Sequence, residues 1–354
     1  MATTFIYRID HHGSLVRPTE LLAAQRGHAA GTVSDADFGE VEDELVREGV
    51  KLQRIARLTE VTDGHYRRSD FRDGILANVT GFERTNDVES DGLRVWRNVG
   101  EVAASDSTLV ARADEIHGMT SIPTKVTIPS PAYLAAHTWQ GGSSSPYSSA
   151  VELGMAIAAV VHGEIAALIA AGVPYVQLDN PDLSAYYAGS GFDLPQPAFD
   201  VLEAIAIDDA GVESLERPEN FRLGLAVDWG QYLTTEADEQ VAWEVFNTLP
   251  FDRFLIPFQS DQFVEQQLVQ FIPKGVAACL GIVDATVPEL EDVDVIIARI
   301  EKAFELKHPD EVALSPSKGF QDAAYVPAVV TVDQERRILT HVETIARMVY
   351  GGEL

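Results

Sequence analysis

The chain alternates short apolar, β-prone runs with longer stretches of helical spacing, and it does so eight times. The runs fall at residues 6–9, 60–64, 124–129, 173–178, 223–227, 253–256, 276–283 and 312–315. Apolar residues at helical spacing predict helices over about 35–58, 150–171, 236–248, 262–270, 289–306 and 333–349. Gly172 marks a helix end and Pro129 ends a strand. Repeated βα units argue for a parallel sheet, since a strand returning parallel to the last needs a crossover. Eight of them predict a single (β/α)8 TIM barrel over residues 1–354, with a long insertion at about 80–120. A doubly wound open sheet is the alternative, but no Gly-x-Gly-x-x-Gly follows a strand and no Walker motif is present. The stretch from Gly141 to Tyr147 reads equally as a lid or as a solvated turn.

Composition narrows the classes. A hydrophobic share of 46% can fill a large core. No uninterrupted apolar run reaches the roughly 18 residues that span a bilayer, and the first residues lack a signal peptide's pattern. The expectation is a cytoplasmic protein with no membrane partner. A net charge of −29 argues against nucleic acid, whose phosphates need a basic face. Six lysines stand against twenty arginines, and the acidity fits either a salty cytoplasm or a compositional habit. The lone Cys279 excludes an internal disulfide and a thiolate-cluster metal site. Set in an apolar run, it reads as a small buried hydrophobe.

Active sites of such barrels form at the C-terminal strand ends. Those ends carry His11, His12, Ser14, Asp63, His65, Arg67, Arg68, Ser130, Asp179, Asn180, Asp228, Trp229, Pro257, Asp284, Ser315 and Lys318. Ionisable residues gathered there point to an enzyme or a small-molecule binder. Arg17, Arg67 and Arg68 can clamp a carboxylate or phosphate, or pair with acidic helices. Trp229 and Trp139 can stack on a planar substrate, or simply pack. His11 or His12 with His65, Asp179 and Asp228 forms a mixed set that can hold a divalent ion.

Several of these segments resemble the cobalamin-independent methionine synthase family, in its short methionine-synthase-II-like form and its C-terminal catalytic barrel. His12-Gly13-Ser14-Leu15-Val16-Arg17-Pro18 is similar to the family's His-Val-Gly-Ser-Leu-Leu-Arg-Pro. The segment Val61-Thr62-Asp63-Gly64-His65-Tyr66-Arg67-Arg68 resembles Val-Thr-Asp-Gly-Glu-x-x-Arg. Pro129-Ser130-Pro131, Val176-Gln177-Leu178-Asp179-Asn180-Pro181 and Phe271-Ile272-Pro273-Lys274-Gly275 match further landmarks. Leu225 to Gln231 and Leu314 to Phe320 resemble the metal-ligand segments Leu-His-x-Cys-x-Gly-Asn and Ser-Pro-x-Cys-Gly-Phe. The resemblance runs over most of the chain.

In the family, zinc held by His, Cys, Glu and Cys turns a homocysteine thiol into a thiolate that attacks a methyl group on methyltetrahydrofolate. Carried over position by position, those ligands become Ala226, Asp228, Pro257 and Lys318. One cysteine cannot build a two-thiolate site, so the resemblance implies a barrel without zinc. The family's acidic contact to the homocysteine amine becomes His65, while Asp179 is retained.

Asp228 and Lys318 occupy positions that converge on one metal in the family. They read as a buried ion pair, as a catalytic pair, or as a Schiff-base lysine beside an acid. In the catalytic reading Asp228 or His65 is the general base and Lys318 stabilises a developing anion. His12, Ser14, Arg17, Arg67, Arg68, Ser130, Asp179, Asn180 and Trp229 are the expected substrate contacts. The expected function is methyl or one-carbon transfer to a small polar or aromatic substrate by acid–base residues, with a folate-type methyl donor implied by the resemblance. A metal-free lyase or decarboxylase, akin to uroporphyrinogen decarboxylases, and a non-catalytic binding homologue are the alternatives. The same resemblance implies a homodimer.

Overall fold

The computed structural model describes residues 7–89, 92–105, 107–141, 145–183, 199–228, 236–259 and 263–351. Six strands form one parallel sheet in chain order: β3 (Lys125–Pro129), β4 (Tyr175–Asn180), β5 (Arg222–Val227), β6 (Arg253–Pro257), β7 (Ala277–Val283) and β8 (Val312–Pro316). Their residues are almost all buried, as expected of strands covered on both faces. The helices α5 (Pro131–Thr138), α6 (Ala150–Ala170), α7 (Val201–Ala210), α8 (Glu236–Thr248), α9 (Phe263–Phe271) and α10 (Val293–Leu306) make the crossovers. The helix α11 (Val332–Tyr350) follows β8 and ends at Gly351, whose φ of 65° supplies the left-handed turn that stops it.

The first two expected strands take a reduced form. Residues 7–11 join β8 through a single parallel bridge, Ile9 to Leu314, and residues 59–64 join β3 through Val61 to Thr124. Between these two segments the bonds run largely through side chains. Thr59 Oγ1 donates to the Ile9 carbonyl at 2.5 Å, and Thr62 Oγ1 to the Gly13 carbonyl at 2.6 Å. The hydroxyls stand in for part of a ladder, so the segments pair without reading as regular strands. Leading into and out of them are α1 (Thr19–Ala29), α2 (Asp35–Ile55), capped by Ser34, and the short α3 (Asp73–Leu76).

The expected insertion is structured. It holds an antiparallel hairpin, β1 (Val79–Val88) with β2 (Arg94–Ala104), and then α4 (Leu109–Met119). The hairpin depends on Gly81, at φ 89°, where a Cβ would lie 2.5 Å from the Glu101 carbonyl oxygen. Of the Gly141–Tyr147 stretch, residues 142–144 lie outside the described residues. Its far end packs on the hairpin, where the Tyr147 hydroxyl accepts from Val102 N at 2.9 Å.

By length and mean hydropathy, α6 is the one helix among the described residues able to cross a membrane. It lies instead between α5, α7 and β2, with Leu153, Ile157, Val161, Ile165 and Leu168 fully buried, and Glu152, His162 and Glu164 break its apolar run. The lone Cys279 is free and buried, and burial pushes its thiol above the usual range, as expected of an inert core cysteine.

Strand alternation stacks side chains on the inner face of the sheet. Near the N-terminal strand ends it buries an ionic cluster. Lys125 of β3 bonds Asp10 and the His11 carbonyl, and Arg253 of β6 bonds Asp10 and the Tyr7 carbonyl. Tyr175 of β4 donates to Asp10 at 2.8 Å. Asp10 lies beside β8 while Lys125 is on β3, so this carboxylate links the segment 7–11 to both outer strands of the sheet. Burial would raise the Asp10 carboxyl, but Lys125 and Arg253 hold it well below the usual carboxylate range. Beside it Glu60 is pushed well up by burial and by the Asp10 charge, which keeps one proton in the acid pair. Above this cluster, Ala226, Leu255, Cys279 and Ala313 form a small apolar layer.

Candidate active site at the strand ends

The mouth is built around Gly13. Its φ is 102°, and a Cβ there would lie 2.8 Å from Thr127 Cγ2 and 3.0 Å from His65 Nε2. Only glycine lets the first loop pass this close over both residues. His65 itself has φ 59°, uncommon for a residue with a side chain. Asp63 Oδ1 accepts from the His65 amide at 3.0 Å and helps hold the turn.

The His65 ring is fixed from below, with Nε2 lying 2.5 Å from Thr127 Oγ1. Its Nδ1 is buried without a partner. Burial, then the charges of Arg68 and Arg17, drive the imidazole well below its usual range, so it is neutral at pH 7. His11 is similar: its Nδ1 accepts from Gly13 N at 3.2 Å, its Nε2 has no partner, and burial lowers it to about 3.

Thr127 and Gln177 are register partners on β3 and β4. His65 stands on the first, and Asp179 stands above the second, with Gln177 Nε2 donating to Asp179 Oδ1 at 2.6 Å. Asp179 is half-buried. Burial pushes its carboxyl up to about 7, against the lowering pull of Gln177, Lys125 and Arg68. An acid pushed toward neutrality and a neutral imidazole thus rest on register partners of two adjacent strands, β4 and β3.

Asp228 and Lys318 are both exposed. The buried ion-pair reading therefore fails: the mouth leaves both ends open to solvent, where no low-dielectric pocket forces them together. The Lys318 charge reaches His12 and helps lower that imidazole, behind the larger effects of burial and Lys125. Gly319 runs tightly against Ser14, whose carbonyl accepts from Phe320 N at 3.3 Å. Ser14 is thus committed to holding the last loop.

Other expected contacts also carry structure. Arg17 donates to the carbonyls of His65, Arg68 and Gln321, clamping two loops. Arg67 pairs with Asp43 at 2.6 Å and Glu115 at 2.9 Å, the acidic-helix reading. Ser130 caps α5 by accepting from Tyr133 N, and Asn180 Nδ2 donates to Asp208 at 3.0 Å. Arg68 lines a cleft between β3 and α4. Trp229 lies outside the described residues.

Nor does the mixed His and Asp metal set converge: among the described residues, no group of three or more His, Cys, Asp or Glu is placed to hold a metal ion. His11 and His65 are buried while Asp228 is exposed.

Sequence reasoning missed Thr127 and Gln177, which support His65 and Asp179. The period-two pattern from Lys125 to Pro129 and from Tyr175 to Asp179 places them on the same face and was the available signal. It also missed His137, which is held between Glu89 at 3.0 Å and Asp182 at 2.7 Å and fastens the hairpin tip beside the mouth.

A parallel α/β sheet with its ionisable groups at the C-terminal strand ends defines the class. No family model matches the chain. The uncharacterized protein YxjH of Bacillus subtilis is 24% identical over 97% of this chain and 95% of its own length. A methionine synthase of Pyrococcus abyssi is 23% identical over 87% of this chain and 85% of its own length. The solved structure of a B12-independent methionine synthase from Shewanella, in complex with selenomethionine, superposes with a TM-score of 0.77 at 17% identity, covering 98% of both chains. Over most of its length the chain is similar to cobalamin-independent methionine-synthase-like proteins.

Proposed function

We propose that the chain is a methyl-transfer enzyme that works by proton transfer on a closed (β/α)8 barrel, without the zinc–thiolate centre. The observation that carries this reading is that Asp179, its carboxyl pushed up to about 7, and His65, whose Nδ1 is buried without a partner, rest on Gln177 and Thr127, register partners on β4 and β3. Transfer of a methyl group to a small acceptor X–H needs a base for its proton, and then a proton for the leaving group of the donor. The X lone pair forms the new bond to carbon as the carbon–donor bond breaks, and its electrons go to the donor, which takes up a proton. A carboxyl with a pKa near the working pH can serve either step. His65 Nδ1 faces the same end of the sheet, and Thr127 fixes its ring. Lys318 and Asp228, both exposed, are in place at the rim to meet a charged substrate group.

The donor set does not suit zinc. Ala226 belongs to an apolar layer, Pro257 offers no ligand side chain, and Lys318 with Asp228 supplies no thiolate. No step is therefore assigned to a metal. Barrel closure is supported by the bridges at both sheet edges and by the bond between Asp10 and Lys125. A folate-type compound is the methyl donor under this reading, and a homodimer its assembly.

Two measurements test it. Elemental analysis of the purified protein should find no stoichiometric zinc, and one zinc per chain would overturn the zinc-free reading. With methyltetrahydrofolate and a panel of thiol, amine and phenol acceptors, Asp179→Asn should lower kcat by roughly 10²–10⁴-fold. Turnover retained in both Asp179→Asn and His65→Gln would remove the acid–base assignment.

A further inference from the structure

We propose that the cleft between β3 and α4 is a binding site for a small monovalent anion, held by Arg68, Arg112 and Thr124. This is independent of the proposed methyl transfer and concerns the outer side of the sheet. The cleft is narrow, with a volume of about 20 Å³, room for one small ion, and is walled by Leu109 and Ile116 of α4.

Arg68 is 3% exposed, yet among the described residues its guanidinium makes no ion pair. Its one side-chain hydrogen bond is a long contact of 3.5 Å to the Phe71 carbonyl, and its Nε has no partner. Arg112 is half-buried and likewise unpaired among the described residues, and its charge is one of the influences lowering Arg68, after burial itself. Thr124, 3% exposed, leaves its hydroxyl without a partner at the same cleft. Asp63 and Lys125 also line the cleft; the charges of Asp63, Asp179 and Asp73 act on Arg68, and Arg112 acts on Glu42, all without an ion pair to either arginine among the described residues.

Acidic residues outnumber basic ones by 55 to 26, and most buried arginines in the fold find a carboxylate or a set of carbonyls. A buried guanidinium with one long hydrogen bond and no ion pair is incompletely satisfied, and a bound anion would complete its partners. Arg donors in a planar fork plus one hydroxyl suit a halide or a small carboxylate. Occupancy would tie the end of β3, helix α4 and the loop that carries His65 into one unit.

The test holds cation and ionic strength constant and varies the anion among chloride, formate and gluconate. For the wild type, Tm should be about 2–4 °C higher in saturating chloride or formate than in gluconate. Chloride-35 NMR should show excess line broadening that formate competes away. In Arg112→Gln and in Thr124→Val, both placed at the edge of the core, the anion-specific Tm difference and the broadening should fall together. A wild-type Tm that follows ionic strength whatever the anion overturns the proposal. Anion specificity that survives in both variants overturns it too, because the site then lies elsewhere. Formate active and chloride silent would assign the site to carboxylates, and the reverse to halides.

Discussion

Replacing Glu335 by Gln should stabilise the protein near neutral pH and do almost nothing under mildly acidic conditions. Glu335 lies on the inner face of α11 and is fully buried. One carboxyl oxygen accepts from Val16 N at 2.9 Å, and the other has no partner. Burial raises the group from 4.5 to about 8, only partly countered by the Val16 bond. The folded state therefore holds a proton that the unfolded state releases above pH 4.5. Its contribution to stability is fully present below the unfolded value and is lost as pH rises toward 8. One pH unit is worth about 1.4 kcal/mol, so keeping this carboxyl neutral at pH 7 costs about 3 kcal/mol. At pH 5 the cost is below about 1 kcal/mol. Glutamine keeps the acceptor for Val16 and carries no such cost. Urea unfolding of both proteins at pH 5, 7 and 8 reads the difference directly. The expected gain is about 2–3 kcal/mol at pH 7, vanishing at pH 5. A Gln variant less stable than the parent at pH 7 would refute the reasoning, since it would mean an ionised carboxylate with a real counter-charge.

Two further substitutions probe the interior. Lys125→Met removes the cation that bonds both Asp10 and the His11 carbonyl, and should cost about 3–5 kcal/mol in denaturant unfolding because it leaves a buried carboxylate short of a partner. An effect below about 1 kcal/mol would show that Arg253 alone satisfies Asp10. Gly13→Ala combines a positive φ with a Cβ set 2.8 Å from Thr127, and should cost about 2–3 kcal/mol. NMR of the His65 ring in that variant should show its resonances displaced, and unchanged His65 signals would contradict the close packing.

The sheet strands after the insertion were legible because burial on both faces makes them continuous apolar runs. β8 and β7 were located within a residue or so, and α8 at its observed limits. The segments at 7–11 and 59–64 were read as strands, but Thr59 and Thr62 divert much of their pairing to side chains, a substitution that apolar periodicity cannot register. The hairpin was missed because its strands are largely exposed and lack a clean alternation of buried and exposed positions. At the site, residue type was readable and direction was not. Ser130, Asn180, Arg17 and Arg67 sit where ligand contacts are expected, but each is satisfied by a helix end, a carbonyl or an acid that comes from a distant part of the chain.

The inner face of the sheet divides into two chemically different halves. Above the ionic cluster, to which β6 contributes Arg253, it presents toward β5 to β8 Ala226, Leu255, Cys279 and Ala313, none of which handles protons at neutral pH. Toward β3 and β4, and under the first two loops, it presents Lys125, Thr127, Gln177, Asp179, His11 and His65. On the proposed function, the positions that hold zinc in the family fall on β5, β6 and the loop after β8, in or above the apolar half. The proton-handling groups fall in the other half. A chain that loses thiolate ligands loses its means of activating a thiol on that side, and the remaining chemistry must come from groups whose charge the protein can still set. Burial does that here: it holds His65 neutral and pushes Asp179 up to about 7, while the cluster around Asp10 ties the opposite, N-terminal ends of the sheet. On the proposed function, the acceptor is one whose proton a carboxylate or a neutral imidazole can take without a metal.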